Sequence, residues 1–448
     1  MEVPWVTESY YPILGNIIGM GRDPITYFKA CQEKYGPIFK ISILGSTVVI
    51  VCNTSIYKKH NTIGDYMYCE GHTSSYEFLK YAYLDNPYSS DVDMHSEIIR
   101  ALGRSSTMDQ SDHLLRSLQM GSKYLATKIN NDIYNKVDHC LDSVCNFSTY
   151  VSTLSYYNFE PDVELINEMS KYGNDMSYLA ANAFTLPRFV AKMMISPKLT
   201  KYQKLVSSKL LPLIQQYRAN PNLTQSAILR ASIDYVGPVS NCGFSDEEIC
   251  GIFLCFIYGN IKNAEMGIQS AVTELAIRPQ LYARVRDTCD KYLTNNDFNG
   301  LINDEFMNNV VWEVARFAPS LFASVRVPSR HSTVGEYAVG DAFIVTSCPY
   351  LISHDSNYYT EPDTFNPDRF TTTADKTGEP RNTDHIPIWG SGVHVCSGIQ
   401  YSIQQMIVGI ATIVHNYDVV LPDTILPLNY VTSTTFASRG MKFTLKHK

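Results

Sequence analysis

One stretch decides the interpretation of this chain: Pro387-Ile388-Trp389-Gly390-Ser391-Gly392-Val393-His394-Val395-Cys396-Ser397-Gly398. Its single cysteine, Cys396, directly precedes the predicted start of a long amphipathic helix, whose N-terminus offers amide donors and positive potential to a thiolate. Gly390 and Gly392 allow backbone turns that point N–H groups at the sulfur, and Gly398 lets the helix lie close to something flat. Zinc and iron–sulfur sites need several ligands, so the pattern favours one thiolate on a flat cofactor. A buried structural cysteine is the alternative.

The same stretch resembles the haem-binding loop of the cytochrome P450 superfamily. That loop has an aromatic residue, Gly, any residue and Gly, and later a cysteine followed after one residue by Gly. Trp389 takes the aromatic place, where Phe is usual, and His394 takes the place of a basic residue that bonds a haem propionate. The resemblance implies that Cys396 is the axial ligand of haem b, iron protoporphyrin IX.

Charge and cysteine usage exclude several classes of protein. The 448 residues carry a net charge of −7 with a pI near 5.9, which argues against nucleic acid as a partner. The 11 cysteines are scattered without paired spacing, which suits a reducing compartment rather than a disulfide framework. The sequence contains no apolar run of about 18 residues, so it predicts no membrane-spanning helix.

The resemblance implies a mainly α fold with small β-sheets, the cytochrome P450 fold, in a single large domain. It divides the chain into an N-terminal segment at 1–22 and a haem-thiolate catalytic domain at 23–448. Eukaryotic members of the family usually carry an N-terminal anchor, and whether one was removed or never existed stays open. The expected location is the cytoplasmic face of the endoplasmic reticulum membrane, or the cytosol if there is no anchor. Peripheral membrane contact also stays open.

The first elements are predicted from local signals. Asp23 is a candidate N-cap with Pro24 at the first helical position, and the helix should end at Gly36. Residues 37–43 and 47–52 alternate around a Gly-Ser pair and predict a β-hairpin. This order resembles the start of the family, most closely the branch with bile-acid sterol hydroxylases and prostacyclin synthase.

The C-terminal part has equally simple patterns. A helix is predicted from Ser397 to about His415, and residues 418–446 are typical of hairpin strands. Residues 320–327 form a further strand candidate, and residues 53–245 have mostly helical patterns.

A long helix is predicted to start at Ser245. The run Ser245-Asp246-Glu247-Glu248 is a capping box, and the helical pattern continues to Ile277, before Pro279. At 1.5 Å per residue, such a helix is about 48 Å long and must cross the interior. It resembles the central helix of the family, which passes over the distal face of the haem.

The family usually carries an acid and an alcohol on this helix for proton transfer. Here Ile261 and Lys262 stand in those places, whereas Gly259 and Asn260 resemble the sterol hydroxylase and prostacyclin synthase branch. Asn260 and Asn263 are three residues apart and share a helix face with Gly259 nearby. We expect these three residues to be catalytic, with the amides hydrogen-bonding a peroxide or oxygen. The alternative is that both amides only satisfy neighbouring polar groups.

Three charged residues resemble the buried charge triad of the family. Glu313 and Arg316 lie three residues apart on a predicted helix, and Arg369 follows within Phe365-Asn366-Pro367-Asp368-Arg369-Phe370. Alone, the first two would usually form a surface ion pair of little value. The resemblance implies a structural role, in which the triad fixes the segment before the cysteine.

Two arginines are candidates for binding haem propionates. Arg326 follows Arg316 by ten residues, as in the family, with Arg330 as the competing choice. Arg116 lies in a run that resembles a helix with a propionate-binding basic residue. The tryptophan usual four residues earlier is replaced by Asp112, so a solvated surface arginine is the alternative.

Three functions remain open from the sequence. The first is a haem-thiolate monooxygenase that hydroxylates a hydrophobic sterol or lipid, with electrons from NADPH-cytochrome P450 reductase or another donor. The second is an isomerase or dehydratase of lipid peroxides, similar to prostacyclin synthase, that needs neither dioxygen nor a reductase. The third is a non-catalytic haem-binding sensor or lipid carrier, which an iron-ligating amine of Lys262 would favour.

Overall fold

A computed structural model describes residues 1–21, 23–57, 112–135, 141–182, 188–223, 226–236, 243–320, 324–326, 328, 330–372, 378–390, 395–396, 398–421 and 444–447. Within these ranges most residues are helical and the strands are short. This architecture confirms the mainly α fold with small sheets that the sequence predicts. The middle of the hairpin predicted at 418–446 lies outside the described residues.

The helices form the bulk of the described chain. They are α1 Ile17–Met20, α2 Pro24–Tyr35, α3 Asp112–Tyr134, α4 Leu141–Tyr157, α5 Val163–Asn182, α6 Arg188–Ala219, α7 Ala227–Asp234, α8 Asp246–Ala276, α9 Pro279–Leu293, α10 Phe298–Asn303, α11 Glu305–Phe317, α12 Pro349–Ser353 and α13 Ile399–Asn416. Short 3₁₀ turns occupy Pro221–Leu223, Pro367–Phe370 and Pro387–Trp389. The predicted helices after Asp23 and Cys396 are therefore confirmed to within about two residues, the usual uncertainty of helix ends.

The strands build three small sheets. They are β1 Ile38–Ile43, β2 Ser46–Val51, β3 Ser324–Arg326, β4 Thr333–Val334, β5 Tyr337–Ala338, β6 Ile344–Ser347, β7 Tyr417–Val420 and β8 Thr444–His447. The four-stranded sheet has the order β1, β2, β6, β3, and the predicted β1–β2 hairpin is antiparallel. Strand β6 adds to β2 in parallel, with Val48 opposite Ile344.

The N-terminal residues pack on this sheet. The N–H of Val6 donates to the carbonyl of Lys40 at 2.9 Å, and the N–H of Lys40 donates to the carbonyl of Pro4 at 2.7 Å. Val3 and Val6 are buried. In the described ranges, no helix combines the length and the hydropathy that a membrane span requires.

Helix α8 is the central element. Ser245 caps it: its hydroxyl accepts from the N–H of Glu248, and its own N–H donates to the Glu248 carboxylate at 2.7 Å. The helix runs for 31 residues and ends at Ala276, so the predicted long helix is confirmed. It packs against α4, α5, α6, α11 and α13. An apolar helix of this length needs such cover on nearly every side.

Candidate functional site

The loop that carries Cys396, residues 387–398, is called the cysteine loop, and it begins with a tight turn. Pro387–Trp389 forms the 3₁₀ turn, and Gly390 follows with φ +65°, a left-handed conformation that favours glycine. The N–H of Cys396 donates to the carbonyl of Trp389 at 2.7 Å. The loop therefore returns on itself and places the cysteine next to the aromatic residue. Gly392 and His394 lie outside the described residues.

Trp389 is held on both sides. Its ring packs edge-to-face on Trp312 of α11 at 4.8 Å between centroids. Its indole N–H donates to the hydroxyl of Ser402 on α13 at 3.1 Å. A buried indole needs such an acceptor, so Ser402 explains how tryptophan replaces the more usual phenylalanine.

The thiol of Cys396 lies beside the start of α13. Cys396 is exposed, although burial by the surrounding protein is the main cause that raises the pKa of its thiol, against the lowering effect of the Gly398 N–H. A Cβ on Gly398 would lie 3.7 Å from the sulfur, so the start of α13 stays close to it.

A second open surface lies on α8. Gly259 and Asn263, one turn apart, are exposed, whereas Ile261 and Ala264 are buried. A Cβ built on Gly259 would meet no heavy atom within 4 Å. The middle of α8 therefore has one open face, although the helix is covered by other elements along most of its length.

Tyr156 of α4 connects the two open surfaces. Its ring packs edge-to-face on Phe256 of α8 at 5.5 Å, one turn before Gly259. Burial raises the pKa of Tyr156, and the nearby Tyr401 and the charge of Cys396 add to the rise. Tyr156 therefore lies near both Cys396 and the turn of α8 that precedes Gly259. These residues fit a haem, with Cys396 as ligand on one side and Gly259 leaving room on the other.

The two asparagines of α8 have different surroundings. Asn260 is buried, and its Nδ2 donates to the hydroxyl of Ser152 on α4. Asn263 is exposed, and its Nδ2 donates to the carbonyl of Gly259 at 2.5 Å. Both amides therefore donate hydrogen bonds to acceptors of the protein itself, which matches the alternative that they only satisfy neighbouring polar groups. A catalytic role of either amide stays a prediction.

Ile261 and Lys262 stand where the family usually has an acid and an alcohol, and both side chains are engaged within the protein. Ile261 is buried in the core. The ammonium of Lys262 donates to the carboxylate of Glu265 at 2.7 Å, and burial raises the pKa of Glu265 despite this partner. The amine of Lys262 is therefore engaged in an ion pair rather than directed to a metal.

Glu313, Arg316 and Arg369 lie together in the interior. Arg316 donates from Nε and Nη2 to the two Glu313 oxygens at 2.8 and 2.9 Å, and Arg369 Nε donates to Glu313 at 3.1 Å. All three side chains are at most 3% exposed. A buried carboxylate tolerates such a position only with charged donors of this kind.

Glu379 is a fourth member that the sequence did not reveal. Its carboxylate accepts from Arg369 Nη1 at 2.6 Å. Burial is the largest single cause and acts to raise the pKa of Glu379, but the hydrogen bonds from Arg369 and Thr360 and the Arg369 charge together outweigh it, so the net shift is downward. The two arginines also donate to backbone carbonyls of Ser353, Thr360, Glu361, Pro362 and Thr364.

The expected propionate ligands are only partly described. Arg116 is exposed on the first turns of α3. Arg326 lies in β3, where its backbone pairs with Val345, but its side chain is not among the described ones. Arg330 is exposed near the end of that strand. The assignment of these arginines to haem propionates stays a prediction.

Comparisons with known proteins show which family the chain resembles along most of its length. The family model described as Cytochrome P450 matches residues 7–446. A probable lanosterol 14-alpha demethylase of Acanthamoeba polyphaga mimivirus is 23% identical over 92% of this chain and 58% of its own length. A lanosterol 14-alpha demethylase of Cunninghamella elegans is 21% identical over 95% of this chain and 87% of its own.

The fold has solved counterparts. The crystal structure of the cytochrome P450DA heme domain superimposes with a TM-score of 0.80 at 14% identity. The superposition covers 100% of this chain and 97% of the other. With the family match over nearly the whole sequence, the chain belongs to the cytochrome P450 family and is a haem-dependent oxidoreductase of the monooxygenase type.

Proposed function

We propose that this protein hydroxylates a hydrophobic sterol or lipid. Such a reaction takes one dioxygen, two electrons and two protons, inserts one oxygen atom into a C–H bond and releases the other as water. The electrons come from NADPH through cytochrome P450 reductase or an equivalent donor. The observation that carries the proposal is the placement of Tyr156 near both the exposed Cys396 and the turn of α8 that precedes the open Gly259 position.

The residues of the chain take distinct roles in this proposal. Haem, when bound, supplies the oxygen chemistry, and a Cys396 thiolate favours O–O cleavage. His394, Arg326 and Arg116 are proposed to bind the haem propionates. The cluster of Glu313, Arg316 and Arg369 is proposed to hold the segment that leads to the cysteine loop.

The substrate class is supported by two observations. The two relatives named above are lanosterol demethylases, which supports a sterol or a lipid of similar shape. The open face of α8 offers a glycine and one asparagine amide but no charged side chain of its own, since Lys262 is paired with Glu265. Such a face suits a hydrophobic molecule with few polar groups.

A lipid peroxide isomerase or dehydratase is the second candidate. It is favoured by Ile261 and Lys262, which leave the positions of the usual acid and alcohol without a free proton donor. Rearrangement of a peroxide needs no external protons or electrons. A haem-binding sensor or lipid carrier is less well supported, because the Lys262 amine that would favour it is bonded to Glu265.

One experiment separates these functions. The purified holoenzyme is given sterols and fatty acids with NADPH and reductase, and separately a lipid hydroperoxide or endoperoxide without them. Reductase-dependent hydroxylation supports the proposal. Rapid peroxide rearrangement without NADPH would replace it by the isomerase. Inertness in both assays would favour the carrier.

The N-terminal region supports the proposed location at the endoplasmic reticulum membrane. Several large apolar side chains are exposed there: Trp5, Tyr10, Tyr11, Ile13, Leu14 and Ile18. Tryptophan and tyrosine are enriched where a protein meets the membrane interface. We propose that this surface rests on the cytoplasmic leaflet, from which a hydrophobic substrate is taken up. Flotation of the purified protein with phosphatidylcholine vesicles, lost in a Trp5→Ser, Ile13→Ser variant, would test it.

A further inference from the structure

A row of buried polar side chains lies between α4, α8 and α13. We call it the polar seam, and its members are Asn260, Ser152, Tyr401, Ser148, Gln405 and Gln404. All six are at most 8% exposed. The three α13 members lie at helical spacing on one face, and the two α4 serines are one turn apart. So many polar groups in the packed centre of a helical protein need a physical reason.

The seam begins beside the candidate site. Asn260, the residue after Gly259, donates from Nδ2 to Ser152 Oγ, and the Tyr401 hydroxyl donates to the same oxygen at 3.5 Å. Ser152 in turn donates to the carbonyl of Ser148 at 2.7 Å. The Nε2 of Gln405 donates to that same carbonyl at 3.5 Å. These contacts run without a break from Asn260 of α8, through Ser152 and Ser148 of α4, to Gln405 of α13.

The far part of the seam has polar atoms without partners among the residues that the structure describes. They are Nε2 and Oε1 of Gln404, Oε1 of Gln405 and Oγ of Ser148. Burial of an amide without hydrogen bonds is strongly unfavourable. Globular proteins usually satisfy such clustered groups with ordered water, which makes about three hydrogen bonds. Three of these four atoms belong to neighbouring residues of α13, and together the four provide enough donors and acceptors to bind more than one water molecule.

We propose that the polar seam holds ordered water molecules, and that protons taken up from bulk water pass along these molecules and the seam hydroxyls to the open face of α8 at Gly259. The proton-delivery part rests on the proposed hydroxylation, which consumes two protons for each product molecule. The usual donors are missing, since Ile261 is buried and Lys262 is held by Glu265. The hydroxyls of Ser152 and Tyr401 can both donate and accept, so a proton can pass along them. Asn260 positions the inner end of the seam rather than acting on the substrate.

Water in the seam is measured independently of activity. Nuclear Overhauser effects between water and glutamine side-chain amides are recorded on selectively labelled holoenzyme, with Gln404→Leu and Gln405→Leu to assign the signals. Long-lived cross-peaks to both amides are expected. The two variants should also unfold at a lower temperature, because they break a hydrated network. Dry amides, together with higher unfolding temperatures of the leucine variants, would overturn the proposal.

Proton delivery is measured in the reductase-dependent reaction. In Gln404→Leu and Tyr401→Phe, product formed per NADPH should fall roughly tenfold, with hydrogen peroxide released instead, since a positioned proton donor contributes about 10²- to 10⁴-fold. The solvent deuterium isotope effect on product formation should rise. Haem content and the spectrum of the carbon monoxide complex should not change.

Thr412→Val serves as the matched control. Thr412 is a buried hydroxyl on the same helix, outside the seam, and it already bonds Ser122 and the carbonyl of Val408 at 2.8 and 2.7 Å. Its loss should leave the product yield per NADPH unchanged. Unchanged yields in the seam variants would overturn proton delivery even if the amides are hydrated. A wild-type holoenzyme without reductase-dependent turnover would overturn the proposed function instead, and the water measurement would still decide whether the seam is hydrated.

Discussion

Arg316 and Glu313 form a two-pronged ion pair that is fully buried, with N···O distances of 2.8 and 2.9 Å. They are only three positions apart on α11, yet the remaining donors of Arg316 reach carbonyls of Ser353, Pro362 and Thr364. One local pair therefore fixes a distant, irregular stretch of backbone. A buried pair of this kind contributes to the choice of one conformation as much as to stability.

Removal of one partner from this cluster should be costly. Arg369→Leu leaves the buried carboxylate of Glu313 and the partly buried carboxylate of Glu379 with fewer charged donors, so we expect a loss of about 3–5 kcal/mol in the free energy of unfolding. Denaturant titration of the holoenzyme measures it. Arg284→Leu is the matched control, because its pair with Asp368 is about half exposed on both sides and should contribute less than about 1 kcal/mol. Equal losses in both variants would contradict the role assigned to the buried cluster.

Replacement of the ligand should change the haem spectrum. In Cys396→His, the carbon monoxide complex should lose the red-shifted Soret band of thiolate-ligated haem, because a neutral imidazole donates less electron density than a thiolate. Absorption spectroscopy of the reduced protein measures this change. Cys31→Ala, a buried cysteine on α2, is the control and should keep the band. A thiolate-type band that survives in Cys396→His would contradict the ligand assignment.

Two helical glycines should respond in opposite directions to alanine. Gly259→Ala adds a methyl group in open space and should stabilise the fold by about 0.5–1 kcal/mol through helix propensity. Gly121→Ala on α3 places a Cβ 2.2 Å from Val151 and should destabilise by about 1–3 kcal/mol. Thermal unfolding compares them.

A larger side chain at Gly259 tests whether its open space belongs to the site. Gly259→Leu should fold but weaken the binding of hydrophobic ligands by at least about tenfold, as seen in ligand-induced difference spectra. Unchanged ligand affinity would show that this face of α8 does not border the binding space.

Stability should decrease in mild acid because of one histidine. Burial, followed by the nearby Arg316 charge, lowers the pKa of His354 to about 3, against about 6.5 in an unfolded chain. Between these values only the unfolded state binds the proton. The free energy of unfolding should therefore fall by up to about 1.4 kcal/mol for each pH unit below about 6. His354→Gln should remove this part of the slope, as measured by denaturant titration at several pH values.

The sequence by itself determined the elements that depend on neighbouring residues. The capping box at Ser245 and the proline at 279 set the ends of α8, and Gly45 with its flanking alternation set the first hairpin. The cysteine loop with its glycines indicated the family that the comparisons confirmed. These signals are readable because turn geometry, helix caps and hydrophobic periodicity act over only a few residues.

Only the tertiary structure decided which side chains meet. The partner of Asn260 is Ser152 on another helix, Glu379 completes the arginine cluster, and Tyr401 joins the seam from the helix after the cysteine. None of these has a motif, because each depends on how three or more separate segments pack. Sequence spacing places a side chain on a face of its own helix, but packing determines what that face touches. A buried polar group must then take whichever donors and acceptors the neighbouring segments bring within about 3 Å.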